Sequence, residues 1–308
     1  MSLSVKLIGT LAVSGAAGIA LGLARSRYER DCLVVEETEI VSRKIKKPRT
    51  MVFLTDLHDK EFGNGNERLF KVIRDIGPDF VLIGGDTMVA KAGTAKLDVT
   101  ERLLDGLCRS LGEGGGRNPD REENCASRIY YGNGNHEQRI RDDRETYGNL
   151  YGEFLELLEA RHICYLSDRT AQVGEDISIS GLDIGQIYYR DLIPAKMKAE
   201  YLRRRLGKAD GERFQILMAH SPLFFDAYAD WGADLALAGH FHGGTIRIPG
   251  LGGVMTPQYQ FFLPLCAGTF RQNDRCMIVG RGLGTHSINI RIFNKPQVVV
   301  VKLKPGTI

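Results

Sequence analysis

Six short apolar runs punctuate the chain: "MVFLT" (51–55), "FVLIG" (80–84), "RIYYG" (128–132), "ISISG" (177–181), "FQILMA" (214–219) and "LALAG" (235–239). Runs of this length without polar alternation read as buried strands. Between the first two, "NERLFKVIRDIGPD" sets Leu69, Val72, Ile73 and Ile76 at helical spacing and stops at Gly77-Pro78. "DVTERLLDGLCRSL" and "NLYGEFLELLEARH" predict two further helices, and "QVVVVKLK" predicts a closing strand. Strands alternating with helices place the chain in the α/β class. Its expected architecture is two packed β-sheets flanked by helices, in one domain over residues 48–308. The Gly- and Pro-containing stretch 112–127 reads as a surface loop.

The residues just past each strand carry the chemistry. After 51–55 come Asp56 and His58, and after 80–84 comes Asp86. After 128–132 comes "NGNHE", with Asn135, His136 and Glu137. After 214–219 comes His220, and after 235–239 come His240 and His242. An isolated His-x-His is as well read as two satisfied histidines in a polar loop. Here five of the chain's seven histidines fall at strand ends, where α/β sheets hold their ligands. In extended backbone, residues i and i+2 point the same way, so His240 and His242 can aim at one spot. Mixed oxygen and imidazole donors suit Mn²⁺, Fe and Zn²⁺ better than Ca²⁺ or Mg²⁺ alone. Six or seven donors exceed one tetrahedral ion. They suit two ions about 3.5–4 Å apart that share a carboxylate, acidify a bridging water and clamp a phosphoryl oxygen. A histidine with an ordinary pKa of about 6.5 is a natural proton donor to a leaving alkoxide.

The ordered motifs "DLH", "GGD", "GNHE", "AHSP" and "GHFH" resemble the calcineurin-like metallophosphoesterase superfamily. The tail from "HGGTIRIPGLGGVMTPQ" to "VVVVKL" is similar to its membrane-associated bacterial branch, which includes the YkuE and YaeI phosphodiesterases and the UDP-diacylglucosamine pyrophosphatase LpxG. The resemblance implies a four-layer sandwich of two mixed sheets between helices. It implies two divalent ions, with Mn, Fe, Zn and Mg all candidates. One would take Asp56, His58 and His242, the other Asn135, His220 and His240, with Asp86 between them, and His136 as the proton donor or as a group that steadies the developing charge. The implied substrate is a phosphodiester or pyrophosphate in an envelope-related molecule, lipid-linked ones included. A protein serine/threonine phosphatase and a non-catalytic scaffold on the same fold are the alternatives. The complete donor set disfavours the scaffold.

Residues 7–24 carry no charge, long enough to just span a bilayer. One lysine precedes them and three arginines follow soon after, so the positive-inside rule places the downstream domain in the cytoplasm. The expectation is a membrane anchor over 1–25 and a basic linker over 26–47, with a short strand near Cys32–Val35 and contact with the membrane surface. A cleaved export signal is the rival, and a buried helix the third reading. The net charge of +3 and the lack of a basic–aromatic motif argue against nucleic acid. Six scattered cysteines without a Cys-x-x-Cys read as free thiols. Asp59 and Glu137 are expected to support neighbouring ligands or face solvent, and Asn64 and Asn66 to cap the next helix. His162 reads as structural, and His286 as structural or substrate-facing. Arg271, Arg281 and Arg291 are three candidates for holding a phosphate, among which the sequence does not choose. "PLFFDAYADW" and "QFFLPL" read as core, or as an apolar rim.

Overall fold

The computed structural model describes residues 3–114, 128–189, 195–248, 250–256, 260–285 and 288–306, and the side chains of these except 3–16 and 113–114. Most of the expected loop at 112–127, and His286, lie outside the described residues. The chain opens with α1 (Leu3–Arg30), β1 (Val34–Ser42) and β2 (Arg49–Leu54). Then come α2 (Glu67–Ile76), β3 (Phe80–Ile83), α3 (Asp98–Gly114), β4 (Ile129–Gly132), α4 (Asn135–Asp142), α5 (Arg144–Tyr147) and α6 (Leu150–Ala160). Strands β5 (Cys164–Leu166), β6 (Arg169–Val173) and β7 (Ile177–Leu182) precede α7 (Ala199–Leu206), β8 (Phe214–Ala219), α8 (Phe225–Trp231) and β9 (Leu235–Ala238). A small hairpin, β10 (Arg247–Ile248) and β11 (Gly252–Gly253), leads to β12 (Gly268–Gln272), β13 (Arg275–Val279) and β14 (Gln297–Pro305).

Two six-stranded sheets result, in the orders β1-β14-β2-β3-β4-β5 and β12-β13-β9-β8-β7-β6. Both are mixed. β2 to β5 run parallel, with β14 antiparallel to β2, while β7, β8, β9 and β13 run parallel between antiparallel edges. Alternation along each strand builds the layers. Met51 and Phe53 on β2 pack with Ile216, Met218, Leu235 and Leu237 between the sheets. Val52 and Leu54, the alternate residues, face Leu69, Leu103 and Phe154 of the outer helices. Leu217, Ala236 and Ala238 face Leu202, Tyr228 and Trp231 on the opposite side. The outcome is the expected sandwich: two packed mixed sheets flanked by helices.

The N-terminus corrects one expectation. Residues 3–30 form a helix, but among the described residues no helix is long and apolar enough to cross a membrane. The single N-terminal anchor is therefore not supported, and the cytoplasmic placement that rested on it falls with it. The uncharged run is diluted by Gly and Ala. The helix end instead packs on the domain: Ser26 Oγ accepts the Arg291 N–H at 3.0 Å, and Glu29 Oε2 accepts the Asn294 N–H at 2.9 Å. The stretch 26–47 holds this helix end and β1, which pairs parallel with β14 from Val34–Gln297 to Ser42–Pro305.

Candidate metal centre

The polar side chains gather because the parallel strands β2, β3 and β4 of one sheet and β8 and β9 of the other end at the same edge of the sandwich. The loop after β2 lies along the loop after β3: Asp56 N–H donates to Gly85 O, and His58 N–H to Asp86 O, both at 3.0 Å. Gly239 lets the β9 loop close on the first sheet, since a Cβ there would collide with the Asp56 carboxylate. In its place, the His240 N–H donates to Asp56 Oδ1 at 3.0 Å. Gly134 plays the same part for Asp86, which a Cβ at 134 would strike. The Asn-Gly turn in "NGNHE" is thereby explained.

Five site residues sit in the left-handed backbone region: Asp56 (φ 52°), His58 (45°), Asp86 (54°), His240 (70°) and His242 (51°). Asp and His tolerate it better than most, yet each such residue costs on the order of 1–3 kcal/mol. Strain clustered at one spot marks a site the surrounding fold over-determines.

Donor atoms converge in the interior. His58 Nε2 and His242 Nε2 lie 3.2 Å apart, and His242 Nε2 lies 3.5 Å from Asp56 Oδ1. His220 Nε2 lies 3.0 Å from Asp86 Oδ2 and 3.6 Å from Asp56 Oδ1. Asp56, His58 and His242 form one group that could hold a metal ion, and Asp86, His220 and His240 another. The far ring nitrogens are oriented by backbone: His220 Nδ1 meets Gly84 O at 2.8 Å and His242 Nδ1 meets Gly284 O at 3.0 Å. A ring that donates Nδ1–H to a carbonyl presents the Nε2 lone pair for ligation. Asn135 is 8% exposed, and its Oδ1 has no hydrogen-bond partner. A buried amide oxygen without a donor calls for an electrophile, so the residues fit a mixed nitrogen–oxygen binuclear centre.

The charges press on one another. Burial opposes the Asp86 charge, but His220, His136 and His58 outweigh it and hold its carboxyl well below the usual range. Burial also opposes protonation of His220, yet Asp86 and Asp56 lift that ring to about 10. Burial drives Asp56 upward. Two carboxylates facing imidazoles this closely are a pattern that divalent cations resolve.

His136 differs from the other rings. Its Nδ1 accepts the Ala90 N–H at 2.7 Å, so the neutral ring carries its proton on Nε2, 4.0 Å from Asp86 Oδ2. It stands with His58 and Asp86 in a third group that could hold a metal ion, although in that tautomer its Nε2 presents a proton and not a lone pair.

Two supports are faint or silent in the sequence. Glu137, fully buried, accepts from Asp86 N, Gly134 N, Thr87 N and Tyr131 Oη at 2.8–3.1 Å. It clamps the backbone under Asp86, the supporting role its position suggests. Tyr189 carries no sequence signal: its ring lies 5.0 Å from the His240 ring, and its buried hydroxyl has no hydrogen-bond partner. Asp59 accepts the Val89 N–H at 3.0 Å. Asn66 precedes α2 but makes no side-chain cap; its Oδ1 accepts from Phe62 N at 2.9 Å. His162 is exposed, away from the centre. Arg271 lies on β12, and Arg281 pairs with Glu36 at 2.5 Å.

A family model described as calcineurin-like phosphoesterase matches residues 49–244. The chain is 24% identical over 313 residues to the protein YpbG of Bacillus subtilis strain 168, covering 98% of each. It is 32% identical over 99 residues to the metallophosphoesterase YkuE of the same organism, covering 32% of this chain and 34% of YkuE. To the metallophosphoesterase YkoQ, also of that organism, it is 21% identical, covering 82% and 83%. Among solved structures it is similar to TT1561 of Thermus thermophilus, at 13% identity and a TM-score of 0.41, covering 77% and 91%.

Proposed function

This chain belongs to the calcineurin-like phosphoesterase family and is a hydrolase of phosphoric esters built for a binuclear divalent metal centre, and from that premise we propose how its residues divide the work. Asp56, His58 and His242 would hold one ion and Asn135, His220 and His240 the other, with Asp86 available to both. The observation that carries this division is the unsatisfied Oδ1 of Asn135 beside a complete set of Asp and His donors. Bound there, the two ions would supply acidified water and charge neutralisation at phosphoryl oxygens. The chain's own part is to hold that geometry and handle protons. Gly84 O and Gly284 O fix the His220 and His242 rings. Glu137 fixes the Asp86 backbone. His136 holds a proton on Nε2 and passes it to the leaving oxygen as the P–O bond breaks.

The substrate bond we assign is a phosphodiester or a pyrophosphate. Ile248, Leu251, Phe261 and Phe262 stand exposed on the hairpin and loop beyond His242. They support a substrate with an apolar part, lipid-linked phosphates among them. The test is hydrolysis of an aryl phosphodiester and the matching monoester by the full chain, with added Mn²⁺ and with chelator. Metal-dependent cleavage favouring the diester is expected. Cleavage that survives exhaustive chelation would overturn the reading.

A further inference from the structure

Beside the metal centre lies a solvent-open cavity of about 350 Å³ that reaches from His58 to Arg291. None of the roles assigned to the metal-centre residues uses it. Two guanidinium groups line it, from opposite ends of the chain: Arg30, on the last turn of α1, and Arg291.

Arg291 is 1% exposed, the largest fully buried side chain among the described residues. Its Nη atoms donate to the carbonyls of Asn294 (3.2 Å), Arg281 (2.8 Å), Gly282 (3.3 Å) and Gly284 (2.6 Å). Those bonds brace the loop whose Gly284 O orients His242, a sufficient structural reason for a polar residue here. They do not explain the charge. Carbonyls satisfy donors without neutralising a cation, and among the described residues no carboxylate pairs with either guanidinium. Both Nε atoms are buried without a partner. The third cation in the wall, Lys60, is taken by Asp31. One carboxylate also lines the cavity, Asp59, whose Oδ2 holds the Val89 N–H. Buried charge is retained at a desolvation cost unless a counter-charge meets it, and a guanidinium fork matches the oxygens of a phosphate.

We propose that this cavity binds a second phosphate group of the substrate, beyond the one at the metal centre, with Arg30 and Arg291 as its ligands. This rests on the phosphoesterase reading and narrows it: the preferred substrate carries two phosphates. It also gives the docked end of α1 a function, since that helix supplies Arg30 to the site.

The probe pair is the p-nitrophenyl ester of thymidine 5′-phosphate and the same ester carrying a 3′-phosphate. Both are cleaved by the Mn²⁺-loaded full chain if it is a phosphodiesterase. Calorimetry of the full chain with thymidine 5′-phosphate and with thymidine 3′,5′-bisphosphate, with and without Mn²⁺, reads binding apart from turnover. The extra phosphate should lower KM, and tighten binding, about 10- to 100-fold, as one or two charge-assisted bonds imply. Arg30→Gln and Arg291→Gln should each collapse that ratio, and added salt should shrink it in the wild type. Equal affinity for the two ligands in the wild type, or a full gap retained in Arg30→Gln, would overturn the proposal. Arg30 is only partly buried, so its variant decides the matter even where Arg291→Gln fails to fold. Failure of the metal-loaded enzyme to cleave either ester would sink the phosphoesterase reading instead, and the calorimetric gap would still judge the cavity.

Discussion

Glu137→Gln removes one negative charge and one acceptor from a carboxylate that has four close donors and, at 3.5 Å, the Thr87 hydroxyl as a fifth. Oε2 takes the N–H groups of Asp86 (2.8 Å) and Gly134 (2.9 Å), while Oε1 takes Thr87 N (3.1 Å) and Tyr131 Oη (2.8 Å). The amide oxygen of Gln can keep the first pair, as neutral and weaker bonds. Its NH₂ must then face the second pair. The Tyr131 hydroxyl can turn away, because Thr87 Oγ1 stands 2.7 Å from it, but the Thr87 N–H cannot. One buried backbone donor is left unsatisfied, at about 1–3 kcal/mol, and two charge-assisted bonds drop to ordinary ones, at roughly 1 kcal/mol more. The net loss in stability is about 2–4 kcal/mol. Metal affinity should fall about 10- to 100-fold, the usual effect of removing a group that orients a ligand. Urea denaturation gives the first number and competition with a calibrated chelator the second. A variant that unfolds within about 0.5 kcal/mol of the wild type and binds both ions equally well would refute the assignment of Glu137 as the clamp under Asp86.

Asp86→Asn should lower occupancy at both metal positions, and His58→Ala mainly at one, as elemental analysis of protein loaded at limiting metal would reveal. His136→Ala should retain both ions yet lose about 10²–10⁴-fold in turnover. The loss should be smaller for nitrophenolate esters, which need no proton, and equal losses across leaving groups would exclude the donor role. Tyr189→Phe should leave thermal stability within about 0.5 kcal/mol, because its hydroxyl has no partner to lose; a several-fold rise in KM would mark that hydroxyl as a substrate contact, and a marked drop in melting temperature would contradict its unsatisfied state.

The site is more legible in the sequence than the scaffold around it. A strand buried on both faces is largely apolar, so the polar residues just beyond it stand out: Asp86, His220 and His240 are the first of them, while Asp56 follows Thr55 and Asn135 follows Asn133-Gly134. The groups that hold them are harder to read. Glu137 is one carboxylate among many in composition; only its place at the foot of α4, folded back on Asp86 N, sets it apart. Tyr189 reaches His240 from a connection between β7 and α7 that carries no motif. Strand β1 is hard to see because "VVEETEIVS" is an edge strand: Glu37 and Glu39 face out and pair with Lys302 and Lys304 across the β1–β14 ladder. Acidic residues on an exposed edge give no apolar run to detect. Its neighbour β14, apolar over Val298–Val301, is plain.

The N-terminal segment misleads for a different reason, and its correction bears on the site. Absence of charge is not presence of hydrophobicity. Residues 7–24 hold Leu, Ile or Val at seven positions; the rest are Gly, Ala, Ser and Thr. Each of those seven favours insertion by only about 0.3–0.6 kcal/mol, and small residues add little. Ile19, Leu21 and Leu23 stay exposed, and it is the end of the helix beyond them that docks, where Ser26 and Glu29 close backbone donors of the irregular segment before β14. The three arginines behind the uncharged run have the look of a topology signal. One of them, Arg30, instead enters the wall of a cavity next to His58. The basic cluster thus splits by burial. Arg25 ties down Glu29 at 2.6 Å, Arg27 stays exposed, and Arg30 is carried inward because its helix ends against the loop that Arg291 braces. A charge count along the sequence weighs these three alike; only the packing of the last turn of α1 separates the one that can meet a phosphate.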